Sequence, residues 1–143
     1  MTKEIWINLP VKDVGKSEEF FSRIGFSPNE QYTNSEMACF TVGEKKTTVL
    51  FFAEDTFKGF TKSEVSDTKA GAEVLISYDA ESREEVDETA RKVFEAGGRI
   101  FSEPAEIQGW MYGFAFADLD GHRWNMVYMD SGRMPQQEEK IKQ

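Results

Sequence analysis

"FADLDGHRWNMVYMD", residues 116–130, reads as a strand that enters a tight turn and returns as a second strand. Asp118-Leu119-Asp120-Gly121 has turn chemistry, because Asp side chains bond their own backbone and Gly tolerates a left-handed φ. The same grammar appears earlier in "MACFTV" (37–42) followed by "TTVLFFA" (47–53). The latter is a continuous apolar run, as expected of a strand buried on both faces.

Working outward, each strand pair is preceded by a strand and a helix. "IWINLPV" (5–11) is apolar enough for a strand. A helix is predicted over 14–24, with Phe20, Phe21 and Ile24 on one face and Gly25 as its stop. A further strand is expected around 28–33. In the second half "AEVLISY" (72–78) reads as a strand, and a helix is predicted over 83–96. Ser82 and Glu85 form a capping box, each side chain serving a free backbone N–H of the other residue. Val86, Ala90, Val93 and Phe94 make one apolar stripe, and Gly97-Gly98 ends the helix. "RIFSEP" (99–104), "MYGFAFA" (111–117) and "RWNMVYM" (123–129) follow as strands.

The order β-α-β-β-β therefore occurs twice. A constant offset lays Phe40 on Phe114, Val42 on Phe116, Leu50 on Trp124 and Phe51 on Asn125. The predicted fold is α+β: two tandem βαβββ modules forming curved mixed sheets around a cleft. The expected boundaries are 1–53 for the first module, 54–71 for a polar connection and 72–130 for the second module. A polar tail takes 131–143. Neither module can bury both faces of its sheet alone, so the two must pack together.

Composition narrows the function classes. The chain has 143 residues, 12 of them Phe, and a net charge of −9. A strongly acidic chain is a poor match for nucleic acid, which needs a basic face. It is compatible with a cationic ligand. No run approaches the roughly 20 apolar residues of a membrane span. One cysteine, Cys39, excludes an internal disulfide and points to a reducing compartment. A cytoplasmic protein without a membrane partner is the expectation.

"INLPVKDV", "AEDTF", "SREEVDE" and "MYGFAFADLDGHRW" resemble the vicinal oxygen chelate superfamily, which holds glyoxalase I, the bleomycin-resistance proteins and the extradiol dioxygenases. The resemblance covers residues 3–130 and is strongest to a glyoxalase-like branch. It implies four metal-ligand places in a cleft, which fall on Trp6, Phe51 (or Phe52), Glu73 and Asn125. Only Glu73 is a usual ligand. Trp and Phe offer no lone pair, Asn is a weak single donor, and divalent transition metals need about three good N or O ligands. No cofactor is therefore expected, and a divalent metal is disfavoured.

The remaining candidates are read from their types and positions. Glu73 opens a strand whose alternate residues would enter the cleft beside Trp6 and Phe51. Desolvation there would raise its pKa and suit it to act as the catalytic base, or as an anchor for a ligand's amine. Arg123 and Asn125 share a strand face, with Trp124 and Met126 on the core side. Arg123 is expected to pair with a carboxylate. Trp6, Asn8, Phe51 and Tyr112 would line the cleft with Glu73, Arg123 and Asn125. His122, the only histidine, is expected to make a local hydrogen bond at the turn. "GEKKTT" (43–48) lacks the second Gly of a phosphate loop, and no nucleophile elbow accompanies His122. Cys39 lies inside an apolar strand, where a thiolate is disfavoured.

The sequence thus predicts a glyoxalase/bleomycin-resistance-like homodimer that binds a small cationic or aromatic molecule without metal. The alternatives are a lactoylglutathione-lyase-like lyase or isomerase, with or without metal, and a non-catalytic interaction module.

Overall fold

Asp13 begins the first helix by accepting a hydrogen bond from the Lys16 N–H through its carboxylate, which satisfies one of the free donors of the first turn. The computed structural model describes residues 1–135. The elements are β1 (Trp6–Val11), α1 (Val14–Arg23), β2 (Ser27–Pro28), β3 (Met37–Val42), β4 (Thr47–Ala53), α2 (Glu54–Thr61), β5 (Leu75–Ala80), α3 (Arg83–Glu95), β6 (Arg99–Ile107), β7 (Met111–Ala117) and β8 (Arg123–Met129). They form two four-stranded mixed sheets, ordered β1-β4-β3-β2 and β5-β8-β7-β6. In each sheet the first strand pairs parallel with the last, and the other pairs are antiparallel. This is the α+β arrangement of two βαβββ units.

One core serves both sheets. Phe21 of α1 stacks on Phe51 of β4 with ring centroids 4.4 Å apart, and lies 5.2 Å from Trp124 of β8. Phe20 of the same helix reaches Phe116 of β7 at 6.3 Å. Val86, Ala90 and Val93 of α3 join the same cluster. A first sheet and its helix thus bury apolar surface against the second, the solution expected of two units that cannot each close a core.

Five readings of the sequence are corrected. The segment 28–33 holds only the end of β2 and a 3₁₀ turn at Glu30–Tyr32, capped by Asn29, whose side chain accepts from the Gln31 N–H. The connection 54–71 contains α2, with Glu54 and Asp55 in its first turn where the helix dipole favours acids. Phe60 of α2 lies edge-on to Phe52 at 5.2 Å. The fifth strand starts at Leu75, not at residue 72, so Glu73 precedes the sheet. Phe94 is 73% exposed and leaves the apolar stripe to Val86, Ala90 and Val93. The capping box is half formed. Ser82 Oγ accepts from the Glu85 N–H at 3.1 Å, but Glu85 Oε1 accepts from the Glu81 N–H at 2.7 Å.

The constant offset between the two halves also fails. Partners directly opposite in a ladder share a face. Val49 and Phe51 of β4 and Trp124 and Met126 of β8 face the core, whereas Leu50 and Asn125 stand on the other face. Gly43–Lys46 link the first strand pair, and Asp118–His122, one residue longer, link the second. A one-residue difference reverses every side chain that follows it, so Phe51 does not correspond to Asn125. The polar tail 131–143 lies within the described residues only as far as 135, where Ser131–Arg133 form a 3₁₀ turn. Residues 136–143 lie outside them.

Candidate functional site

The turn 118–122 is the joint between the two halves. Asp118 is buried, and its Oδ1 accepts from the backbone N–H groups of Asp120 and His122, both at 3.0 Å. Its Oδ2 accepts from the Trp124 indole N–H at 3.0 Å. Burial pushes the Asp118 carboxyl above its ordinary range, against the pull of nearby His122 and of these N–H donors. Asp120 reaches the first half: its Oδ1 accepts from the Lys12 N–H at 2.8 Å. His122 Nε2 lies 2.6 Å from the Pro10 carbonyl oxygen of β1, so its side chain bridges to the other half instead of making the local bond expected at the turn. Thr68, in the connection, donates its hydroxyl to the Asp120 carbonyl at 2.7 Å. The turn therefore pins the end of β1, the connection and the start of β8 to one another.

Two hollows flank this joint and share part of their lining. A smaller apolar arm of about 280 Å³ lies between the end of β1, α2 and the start of β5, and is lined by Leu9, Phe57, Val74 and Ile76. A larger polar arm of about 780 Å³ is lined by Lys12, Lys69, Arg99, Asp118 and Asp120. Both arms share Thr68, Gly121, His122 and Arg123. Glu73 borders the apolar arm.

The structure brings together only part of the predicted set. Glu73 and Arg123 line one cleft. Trp6 (55% exposed) and Asn8 stand on the open face of β1 and border neither arm. Phe51 is fully buried in the core between the two halves, so it cannot meet a ligand. Tyr112 is on the helix face of its sheet, where its hydroxyl donates to Asp87 Oδ1 at 2.7 Å under α3. That bond, with burial adding to it, raises the phenol above its usual range. Asn125 shares a face with Arg123, and its buried Oδ1 has no hydrogen-bond partner among the described residues. Glu73 is exposed, and neither Trp6 nor Phe51 lines the arm that it borders. Among the described residues Arg123 pairs with no carboxylate. Its guanidinium lies 4.3 Å above the Phe101 ring instead.

These residues do not fit a divalent metal. Trp6 and Phe51 have no lone pair to give, and Glu73 stands alone before β5. Among the described residues no three His, Cys, Asp or Glu side chains converge as ligands. No helix among the described residues is long and apolar enough to cross a membrane.

Sequence reasoning missed Arg99. It opens β6 opposite Ala117 of β7, and Ala117 is opposite Arg123 of β8. Two inter-strand registers bring the arginines to one face, and no local pattern announces that. The partner of Asp120 in the Lys12 backbone was equally invisible, being 108 positions away.

The sequence model of the Glyoxalase/Bleomycin resistance protein/Dioxygenase superfamily matches residues 5–126. Among solved structures, a hypothetical protein from S. aureus is 35% identical, with a TM-score of 0.79 over 90% of this chain and 94% of that one. A glyoxalase-related enzyme from Fulvimarina pelagi is 16% identical, with a TM-score of 0.77 over 90% and 88%. A mutant of the fosfomycin resistance protein FosX from Listeria monocytogenes, complexed with Mn(II) and a dihydroxypropylphosphonic acid, is 19% identical, with a TM-score of 0.63 over 88% and 90%. No curated protein matches.

Proposed function

The chain belongs to the Glyoxalase/Bleomycin resistance protein/Dioxygenase superfamily, and from that premise we propose that it binds a small organic molecule in the cleft around the 118–122 turn, without a bound metal. One observation carries this reading: an apolar arm and a polar arm meet at Arg123 and His122. Small-molecule sites combine apolar walls with a few fixed polar groups. The walls come from β1, α2 and β5. The fixed groups come from the turn, which the bonds of Asp118, Asp120 and Thr68 hold rigid. Preorganisation of that kind lowers the entropy cost of binding.

A binder is favoured over a lyase or isomerase because the cleft supplies no evident base. Glu73 is exposed to water, and Asp118 spends both carboxylate oxygens on internal donors. A homodimer is part of the same proposal. Trp6 and Leu75, more than half exposed, leave apolar surface on the open faces of both sheets, and two-fold pairing is the commonest way to cover such surface. The buried free thiol of Cys39 suits a reducing, cytoplasmic setting.

The test is a thermal-shift screen of small organic molecules, run with and without Zn(II), Mn(II) and Ni(II), joined to elemental analysis. A compound that binds only the folded state raises the melting temperature. Organic molecules are expected to raise it without added metal. About one transition metal per chain, lost on Glu73→Gln, would refute the metal-free reading.

A further inference from the structure

We propose that the polar arm of the cleft is an anion site, and that the ligand is an amphipathic organic anion held by Arg99 and Arg123. This deepens the small-molecule reading above and rests on it. The two arginines flank Ala117 in a row across three strands: Arg99 is opposite Ala117 in β6–β7, and Ala117 is opposite Arg123 in β7–β8. Partners opposite in a ladder share a face, and strands lie roughly 4.8 Å apart. The two backbones therefore stand about 10 Å from each other with only a methyl group between them. That gap suits one carboxylate or phosphate group reached from both sides.

The guanidinium groups are held but not used up. Arg123 lies 4.3 Å and Arg99 6.0 Å from the centre of the same Phe101 ring. Stacking engages the flat face of a guanidinium and leaves its in-plane N–H fork free for a planar or tetrahedral anion. The ion pairs among the described residues include neither arginine.

Four of the five acids that line the same arm have partners elsewhere, the fifth being Glu54. Asp118 and Asp120 accept from the turn, from Trp124 and from Lys12. Asp67 accepts from the Lys69 N–H at 2.9 Å, and Glu64 lies 3.8 Å from Lys58. Lys12 and Lys69 add ammonium groups at the rim. The apolar arm, which shares Arg123 with this one, takes the body of the ligand. Glu73 at its far border opposes a ligand charged at both ends. The cationic ligand expected from the sequence is thereby replaced. That expectation needed Glu73 desolvated beside Phe51, and the two are apart.

The experiment is a ¹H–¹⁵N NMR titration of the full chain with phenyl phosphate, benzamidine and benzyl alcohol, in wild type, Arg99→Gln, Arg123→Gln and Lys46→Gln. Lys46, in the β3–β4 turn, borders neither arm and controls for net charge. Phenyl phosphate is expected to shift the Thr68, Gly121 and Arg123 amides and to weaken with added salt. Each arginine variant should weaken it by about 10-fold or more, the scale of one lost charge-assisted bond. Lys46→Gln should leave it unchanged. Tighter binding of benzamidine, or equal binding of all three compounds unaffected by the arginine variants, would overturn the anion site while leaving the cleft a binding site. If none of the three compounds moves the cleft amides, the small-molecule reading falls, and the anion site with it.

Discussion

Trp124 donates its indole N–H to Asp118 Oδ2 at 3.0 Å, so the largest side chain of the core also fixes the turn on which the cleft is built. The bond joins two roles. Trp124 is packed by Phe21, Phe26, Phe51 and Phe116, and Asp118 orders the backbone of Asp120 and His122. Trp124→Phe keeps the ring but strands a buried carboxylate oxygen. The expected loss is about 1–3 kcal/mol, read from urea unfolding, with resonances of the 118–122 turn broadened. An unchanged turn and unchanged stability would show that the bond contributes nothing.

Asp118 makes the same knot sensitive to pH. Because burial raises its pKa in the fold, the folded protein holds the proton more tightly than the unfolded chain does. Its stabilising contribution is complete below the ordinary carboxylate range and is lost as pH rises through the folded value. Asp118→Asn is a neutral counterpart that cannot titrate. The stability of wild type minus that of Asp118→Asn is therefore expected to fall as pH rises from the ordinary carboxylate range upward. Urea melts of both proteins across that range measure it. A difference that grows with pH would mean that the N–H donors outweigh burial.

Phe21 is the residue through which α1 holds both sheets, touching Phe51 at 4.4 Å and Trp124 at 5.2 Å. Phe21→Ala should cost about 3–5 kcal/mol, from lost transfer energy and from the cavity left in a shared core. Chemical denaturation gives the value. A cost under about 1 kcal/mol would show that the two halves are not coupled through this ring.

Gly98 packs where α3 turns back toward α1. A Cβ built there meets Val93 Cγ1 at 2.7 Å and the Phe20 Cζ at 2.9 Å. Gly98→Ala should therefore destabilise by about 1–3 kcal/mol through overpacking. Gly59→Ala, where a Cβ meets nothing within 4 Å inside α2, should be neutral or stabilising. Thermal melts of the pair check the contrast.

Trp6 tests the assembly. It is more than half exposed on the open face of β1 and outside the core cluster. Trp6→Glu should leave the unfolding free energy of the isolated chain within about 0.5 kcal/mol and convert the expected dimer to a 16.4 kDa monomer in sedimentation. A wild type that already sediments as a monomer at tens of micromolar would refute the dimer.

Local chemistry determined much of this protein by itself. The strand segments 37–42, 47–53, 111–117 and 123–129 match the observed elements, because alternation and apolar runs are properties of neighbouring residues. The helices around Phe20 and Val86 follow from periodicity in the same way. What the tertiary structure decided were relations between distant segments. The single extra residue in the 118–122 link reversed the faces of β8 relative to β4, so Phe51 faces the core and Asn125 the opposite side. The late start of β5 left Glu73 in water. Two strand registers placed Arg99 across Ala117 from Arg123. Each depends on how one strand slides against another, and the energy that fixes the slide comes from the whole buried interface and from no residue along the chain alone.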